Sequence, residues 1–168
     1  LATALVEAGF SVAAMHLPAH GNSEGKTASI PQSARAMLKV AEALGPVHAL
    51  IAHSVGAAIS VEAIHAGLGL KKVVLIAAPA RYEHFARFIA HGAGLNAEET
   101  EQMVALLSEA IGMDVREVCM PKRAEGRSEG ALFIHSSDDR VVSIKDSLES
   151  AQAWRGAHHM RLEGLGHA

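Results

Sequence analysis

A serine set between a short apolar run and a run of small, helix-forming residues constrains this chain more than any other feature. Val47-His48-Ala49-Leu50-Ile51 reads as a buried strand, and Ala57-Ala58-Ile59-Ser60-Val61-Glu62-Ala63-Ile64 reads as a helix packed closely on a sheet. Between them, Ala52-His53-Ser54-Val55-Gly56 turns strand into helix. Small residues flanking the serine let strand and helix approach, so the turn can project a hydroxyl from the sheet edge. Ala52 is one methyl larger than the glycine of a Gly-x-Ser-x-Gly pattern, while Gly56 keeps the second position open. Plain close packing produces such pentapeptides too, so the chemistry has to be sought in what else the chain brings to the same edge.

A chain of 168 residues is expected to form a single domain with a substantial core. Aromatic residues make up only 4%, so that core must be built from Ala, Val, Leu and Ile. The net charge of −3, with lysine and arginine scattered, gives no electrostatic case for nucleic acid or an anionic membrane surface. No apolar run is long enough to span a bilayer. The single Cys119 excludes an internal disulfide and fits a reducing, cytoplasmic setting.

The remaining pattern alternates strands with helices. Leu1 to Ala8 has helical spacing closed by Gly9, and Phe10 to Met15 reads as a strand. Residues 16–27 are turn chemistry, and Ser29 with Pro31 starts a helix that runs to Leu44 before Gly45-Pro46. After strand 47–52 and helix 55–66, Lys72 to Ala78 forms another buried strand. Arg81 to Ala90 is helical, and Asn96 with Glu99 makes a capping box for a helix through Ala110, with Met103, Leu106 and Leu107 as its core face. Residues 116–130 are polar and broken. The excess length over a simple crossover reads as a small helical cap inserted at 80–130, or as an elaborate crossover. Ala131 to His135 is a strand, a helix runs from Ser143 to about Trp154, and Ala157 to Leu162 is a last strand. This order predicts an α/β fold, a mostly parallel sheet covered by helices on both faces.

A serine hydroxyl needs a base within hydrogen-bond reach and a group to orient that base. Both are available after later strands, in Ser136-Ser137-Asp138-Asp139-Arg140-Val141-Val142 and in Gly164-Leu165-Gly166-His167. The C-terminal ends of parallel strands share one edge, so Ser54, an aspartate and His167 can meet there despite their separation. A lone Asp-Asp pair would otherwise be a solvated turn, and His53 a packed residue beside the serine.

With these residues in place the chain resembles the α/β-hydrolase superfamily over almost its whole length. Leu5 to Val12 followed by Leu17-Pro18-Ala19-His20-Gly21-Asn22-Ser23 is similar to the family's fourth strand and His-Gly-x-Ser loop, and Ala52 to Gly56 to its nucleophile elbow. The segment from Ile134 to Val142 resembles the acid loop, whose spacing selects Asp139 over Asp138, with Ser136 where the family has glycine. Gly164 to His167 resembles the histidine loop, and the order Ser, Asp, His is the family's. The resemblance implies that Ser54 attacks an acyl carbonyl, His167 takes and returns its proton, Asp139 holds the imidazole, and the Val55 N–H is one oxyanion donor. The implied activity is a serine hydrolase of carboxylesterase type, acting on a small acyl substrate without a cofactor. The family's second oxyanion donor lies after its third strand, in a loop this chain does not contain. A hydrolase core lacking its first strands, part of a longer protein and inactive by itself, is therefore expected.

Alternatives on the same scaffold are a lyase or peptidase using the same triad, or a hydrolase-like binding scaffold without turnover. The eleven histidines do not make a metal site: Pro18 breaks the helix that would align His16 with His20, and His158 and His159 point to opposite sides of a strand. Gly21 to Thr27 imitates a phosphate-binding loop, but with one residue too few, a late helix start and no aspartate after strand 72–78.

Overall fold

The computed structural model describes residues 1–167. Four short strands, β1 (Ala49–His53), β2 (Lys72–Ile76), β3 (Gly130–Ser136) and β4 (His158–Leu162), lie side by side in sequence order and all run parallel. Parallel neighbours need crossovers rather than hairpins. Helix α3 (Val55–His65) joins β1 to β2, and α7 (Ile144–Ala153) joins β3 to β4. The β2–β3 link is the long one, with α4 (Tyr82–Gly92), α5 (Ala97–Ile111), a 3-10 turn at Val115–Glu117 and α6 (Met120–Ala124). Helices α1 (Ala2–Glu7) and α2 (Ile30–Leu44) precede the sheet, which makes this an α/β fold with a parallel sheet flanked by helices.

Only one sheet face carries that helical layer, against the expectation of cover on both. Helix α2 packs on α3, α3 on α6 and α6 on α7, whereas α1 buries no residue. The strand order explains this: successive crossovers of one hand between strands laid down in one direction all fall on the same side. Side chains alternate accordingly. Val73, Leu75, Ala131 and Phe133 point into the helical layer and are buried, while Ile51 and Met160 on the opposite face are exposed.

The core between sheet and helices is aliphatic with one aromatic anchor. Phe133 meets Trp154 edge to face with ring centroids 6.2 Å apart, and the Trp154 indole N–H donates to the Glu129 carbonyl at 2.9 Å. Ala57, Ile59, Ala63 and Ile64 of α3 join this cluster. Helix α3 is apolar nearly all round because it lies between the sheet and two other helices.

Several sequence-based boundaries shift, for identifiable reasons. Phe10 to Met15 is not a strand: its alternation is suitable, but no described strand pairs with it, and residues 10–14 lie exposed, where water rather than a ladder takes their N–H and C=O groups. The run 47–52 is not a buried strand, since β1 is the sheet edge and its residues are half-buried or exposed. In α5 the capping box is present as expected, with Asn96 accepting from the Glu99 N–H at 3.0 Å and Glu99 from the Asn96 N–H at 2.8 Å. Its core face is narrower than expected: Val104 is buried, Met103 and Leu107 are half-buried, and Leu106 is exposed.

Within the β2–β3 link the chain leaves and returns through a narrow neck. Arg81 and Cys119 form an isolated antiparallel bridge, the Tyr82 N–H donates to the Val118 carbonyl at 3.1 Å, and the Met120 N–H donates to the Ala80 carbonyl at 2.7 Å. Beyond the neck, Arg87 and Arg116 bind Glu83 and Glu101 together, tying α4, α5 and the 3-10 turn into one unit.

Candidate active site

All four strands end on one rim, and the residues that follow them build the site. After β1 the chain turns sharply: Ser54 has φ 53° and ψ −126°, a left-handed conformation that a residue with a Cβ rarely adopts. The Ser54 N–H donates to the Ile76 carbonyl at 2.8 Å, tying the strained residue to the end of β2. Helix α3 then starts at Val55, whose N–H makes no hydrogen bond within the described residues. A Cβ built on Gly56 would lie 3.9 Å from the Cβ of Ala52, so the small residues across the turn are in ordinary contact.

Beyond β3 the chain makes a tight turn stapled by the Asp139 carboxylate. Its Oδ1 accepts from the Val141 N–H at 2.8 Å and the Val142 N–H at 2.9 Å, and its Oδ2 from His167 Nδ1 at 2.8 Å. Burial alone would raise this carboxyl, but the hydrogen bonds from the Val142 N–H, His167 and the Val141 N–H outweigh it and hold it below its ordinary value. On the far side of the imidazole, His167 Nε2 lies 2.9 Å from Ser54 Oγ. Ser54, His167 and Asp139, spread over most of the sequence, thus form one continuous hydrogen-bonded line.

Asp138 has a different position. It is exposed and does not contact the His167 ring; it holds the loop on which that ring is mounted. Its Oδ1 accepts from the Ser136 hydroxyl and from the N–H groups of Gly164 at 3.0 Å and Gly166 at 3.4 Å. Ser136 Oγ in turn accepts from the Leu165 N–H at 3.2 Å. Three successive amides of the 164–166 turn are thereby held from the end of β3. The Ser136 hydroxyl first, then the loop amides, lower the Asp138 carboxyl.

Two further histidines, His53, read in the sequence as a packed residue, and His135, given no role there, belong to the same assembly. His53 Nε2–H donates to the His167 carbonyl at 2.8 Å, and the two rings lie 5.0 Å apart. His135 is fully buried and reaches Asp139 Oδ2 at 3.1 Å. A signal for His135 was present: it shares a strand face with Ala131 and Phe133, and a titratable residue on an inward face must find a polar partner. His16 and His20 are used locally, His16 Nδ1 accepting from the Asn22 N–H at 3.0 Å and His20 Nδ1–H donating to the Pro18 carbonyl at 2.8 Å. The loop from Gly21 to Thr27 bends away without entering a helix, which begins only at Ile30.

The sequence profile described as the alpha/beta hydrolase family matches residues 1–168, and the chain belongs to that family. Among solved structures it is similar to mouse alpha/beta hydrolase domain-containing protein 10, with a TM-score of 0.68 and 14% identity over 90% of this chain and 67% of that one. An N-acyl homoserine lactone degrading enzyme superposes with a TM-score of 0.66 and 15% identity, covering 90% of this chain and 73% of that one. For a lipase-esterase related protein from Clostridium acetobutylicum the TM-score is 0.64 and the identity 16%, over 88% and 72% of the two chains. At these identities the likeness is one of fold. A search of curated proteins finds no significant match.

Proposed function

We propose that the chain carries a serine hydrolase site that cleaves a carboxylic ester or related acyl substrate through an acyl-enzyme. The observation that supports this best is the unbroken line from Ser54 Oγ through the His167 ring to Asp139, at 2.9 and 2.8 Å. Ser54 Oγ attacks the acyl carbonyl as its proton moves to His167 Nε2. Asp139 keeps Nδ1 protonated, so that Nε2 is the acceptor, and stabilises the imidazolium. The negative charge on the carbonyl oxygen falls near the N-terminus of α3, where the Val55 N–H is an oxyanion donor. Collapse expels the alcohol with the proton from His167, and a water activated by the same imidazole releases the acid.

The helices of residues 80–130 supply the substrate pocket in this reading. A tight apolar recess of about 10 Å³ lies beside Val55, lined by Ile30, Ala58, Pro79, Tyr82 and Phe85. Acyl methylenes would enter it by displacing the α4 side chains. A lactone is one ester of suitable size, and the structural likeness to a lactone-degrading enzyme makes it a reasonable first substrate to assay.

Labelling with a fluorophosphonate, followed by turnover of p-nitrophenyl butyrate, tests the proposal. In the complete protein Ser54 should be the modified residue, and Ser54→Ala and His167→Ala should each remove nearly all turnover while leaving the melting temperature within a few degrees. An unlabelled Ser54, or either variant turning over like the wild type, would overturn it.

A further inference from the structure

We propose that His135 is a positioning residue for the site, an imidazole behind the acid that shares Asp139 Oδ2 with His167; this rests on the serine hydrolase reading above. The side chain of His135 has no exposed surface, and both ring nitrogens are engaged. Nε2 faces two oxygens, Asp139 Oδ2 at 3.1 Å and the Val142 carbonyl at 3.0 Å. Neither can donate, so in this buried setting the hydrogen must sit on Nε2. Nδ1 faces the Ser147 hydroxyl of α7 at 2.8 Å. Ser147 Oγ also lies 2.9 Å from His159 Nε2 and 3.0 Å from the Ile144 carbonyl. With the Ser147 hydroxyl donating to His135 Nδ1 and the His159 Nε2–H donating to Ser147 Oγ, every polar atom on both rings that faces the interior is satisfied.

The consequence falls on Asp139. Its carboxylate accepts from Val141, Val142, His167 and His135, which is about all a carboxylate can take. Two amides fix Oδ1, and two imidazoles fix Oδ2. His135 thereby sets both the direction of Oδ2 and the share of negative charge left for His167. Other charged groups nearby are Asp138, which accepts from the Gly164 and Gly166 N–H groups of the loop that carries His167, Arg161, next to His135 in register on β4 but exposed and paired with Glu163, and Asp146 on α7, which accepts from the Ala80 N–H. His53, whose ring lies 5.0 Å from that of His167, donates to the His167 carbonyl.

Two substitutions of similar size separate this role from simple packing. In His135→Gln the side-chain amide reaches the Nε2 position and still donates to Asp139; in His135→Asn it stops near the Nδ1 position and faces Ser147 instead. Imidazole nitrogen NMR of the protein labelled at histidine should show His135 carrying its hydrogen on Nε2. In His135→Asn the charge on Oδ2 is no longer shared, so His167 should titrate at a pH higher by about half a unit or more, while His135→Gln stays near the wild type. The acid limb of kcat/KM for p-nitrophenyl butyrate should move with it, so that the rate at low pH falls by about threefold or more in the Asn variant alone. Equal His167 titrations in the Gln and Asn variants, or a His135 ring bearing its hydrogen only on Nδ1, would overturn the proposal. The titration is read without turnover, so a wild type inert to ester and fluorophosphonate would count against the hydrolase reading and not against the hold of His135 on Asp139.

Discussion

Adjacent aspartates do separate jobs in the geometry, and substitution should separate them. Asp139→Asn keeps the shape but loses the charge on the His167 ring, and kcat should fall by about a thousandfold or more. Asp138→Ala releases the 164–166 turn without touching the ring, so a smaller loss of about ten- to a hundredfold is expected, with faster amide exchange at Gly164 and Gly166. A larger loss in the Asp138 variant than in the Asp139 variant would reverse the assignment. His159 gives a pH signature: burial holds its imidazole below the ordinary value, with His135 adding to the effect. The unfolded chain then binds a proton more readily than the folded one. Its contribution is complete above the unfolded value of about 6.5 and is lost as the pH falls toward the folded one. His159→Gln, which retains a donor toward Ser147, should flatten the melting temperature between about pH 6.5 and 5. What could be read at this scale followed chemical distinctiveness. Ser54, Asp139 and His167 sit in turn contexts that resemble a known family, and their order was enough to select them. His135 works through Asp139, Val142 and Ser147, four to twelve residues further on, and Asp138 through the 164–166 turn, and residue type alone does not say that the chain folds back to bring these groups together.

Elements defined by local rules were legible, and those defined by neighbours were not. Helix α5 starts where its capping box places it, and Asn96→Ala should cost about 1 kcal/mol in denaturant unfolding. The same helix carries adjacent leucines, Leu106 and Leu107, which cannot both turn inward, and residue type does not say which of them does. Only the packing shows that Leu106 faces outward at 65% exposure, so Leu106→Gln should change stability by no more than about 0.5 kcal/mol. Residues 10–15 carry a strand's pattern and form no strand, since pairing depends on a second segment rather than on propensity. Edge and interior positions raise the same difficulty: β1 and β2 have similar composition, and their place in the sheet alone makes one exposed and the other covered.

For the molecule as a whole, the alternation of strands and helices was sufficient to give a parallel α/β sheet, but not the number of faces it covers. That depends on strand order, which no single segment contains. Trp154, the one tryptophan, is buried against Phe133 at the junction of β3 with the helical layer. Trp154→Ala should cost about 3 to 5 kcal/mol, and in the wild type its fluorescence should lose native character at the same denaturant concentration as the far-ultraviolet helical signal. Earlier loss of the fluorescence signal would mean that the sheet and the helices beyond the neck melt separately. The neck itself carries an evolutionary corollary. A chain that exits at Arg81 and re-enters at Cys119 through the same doorway can lengthen, shorten or exchange everything outside without disturbing the strand ends that hold the chemistry. Selection for a new substrate could therefore act on that excursion alone, leaving Ser54, His167 and Asp139 in register while the room around them is rebuilt.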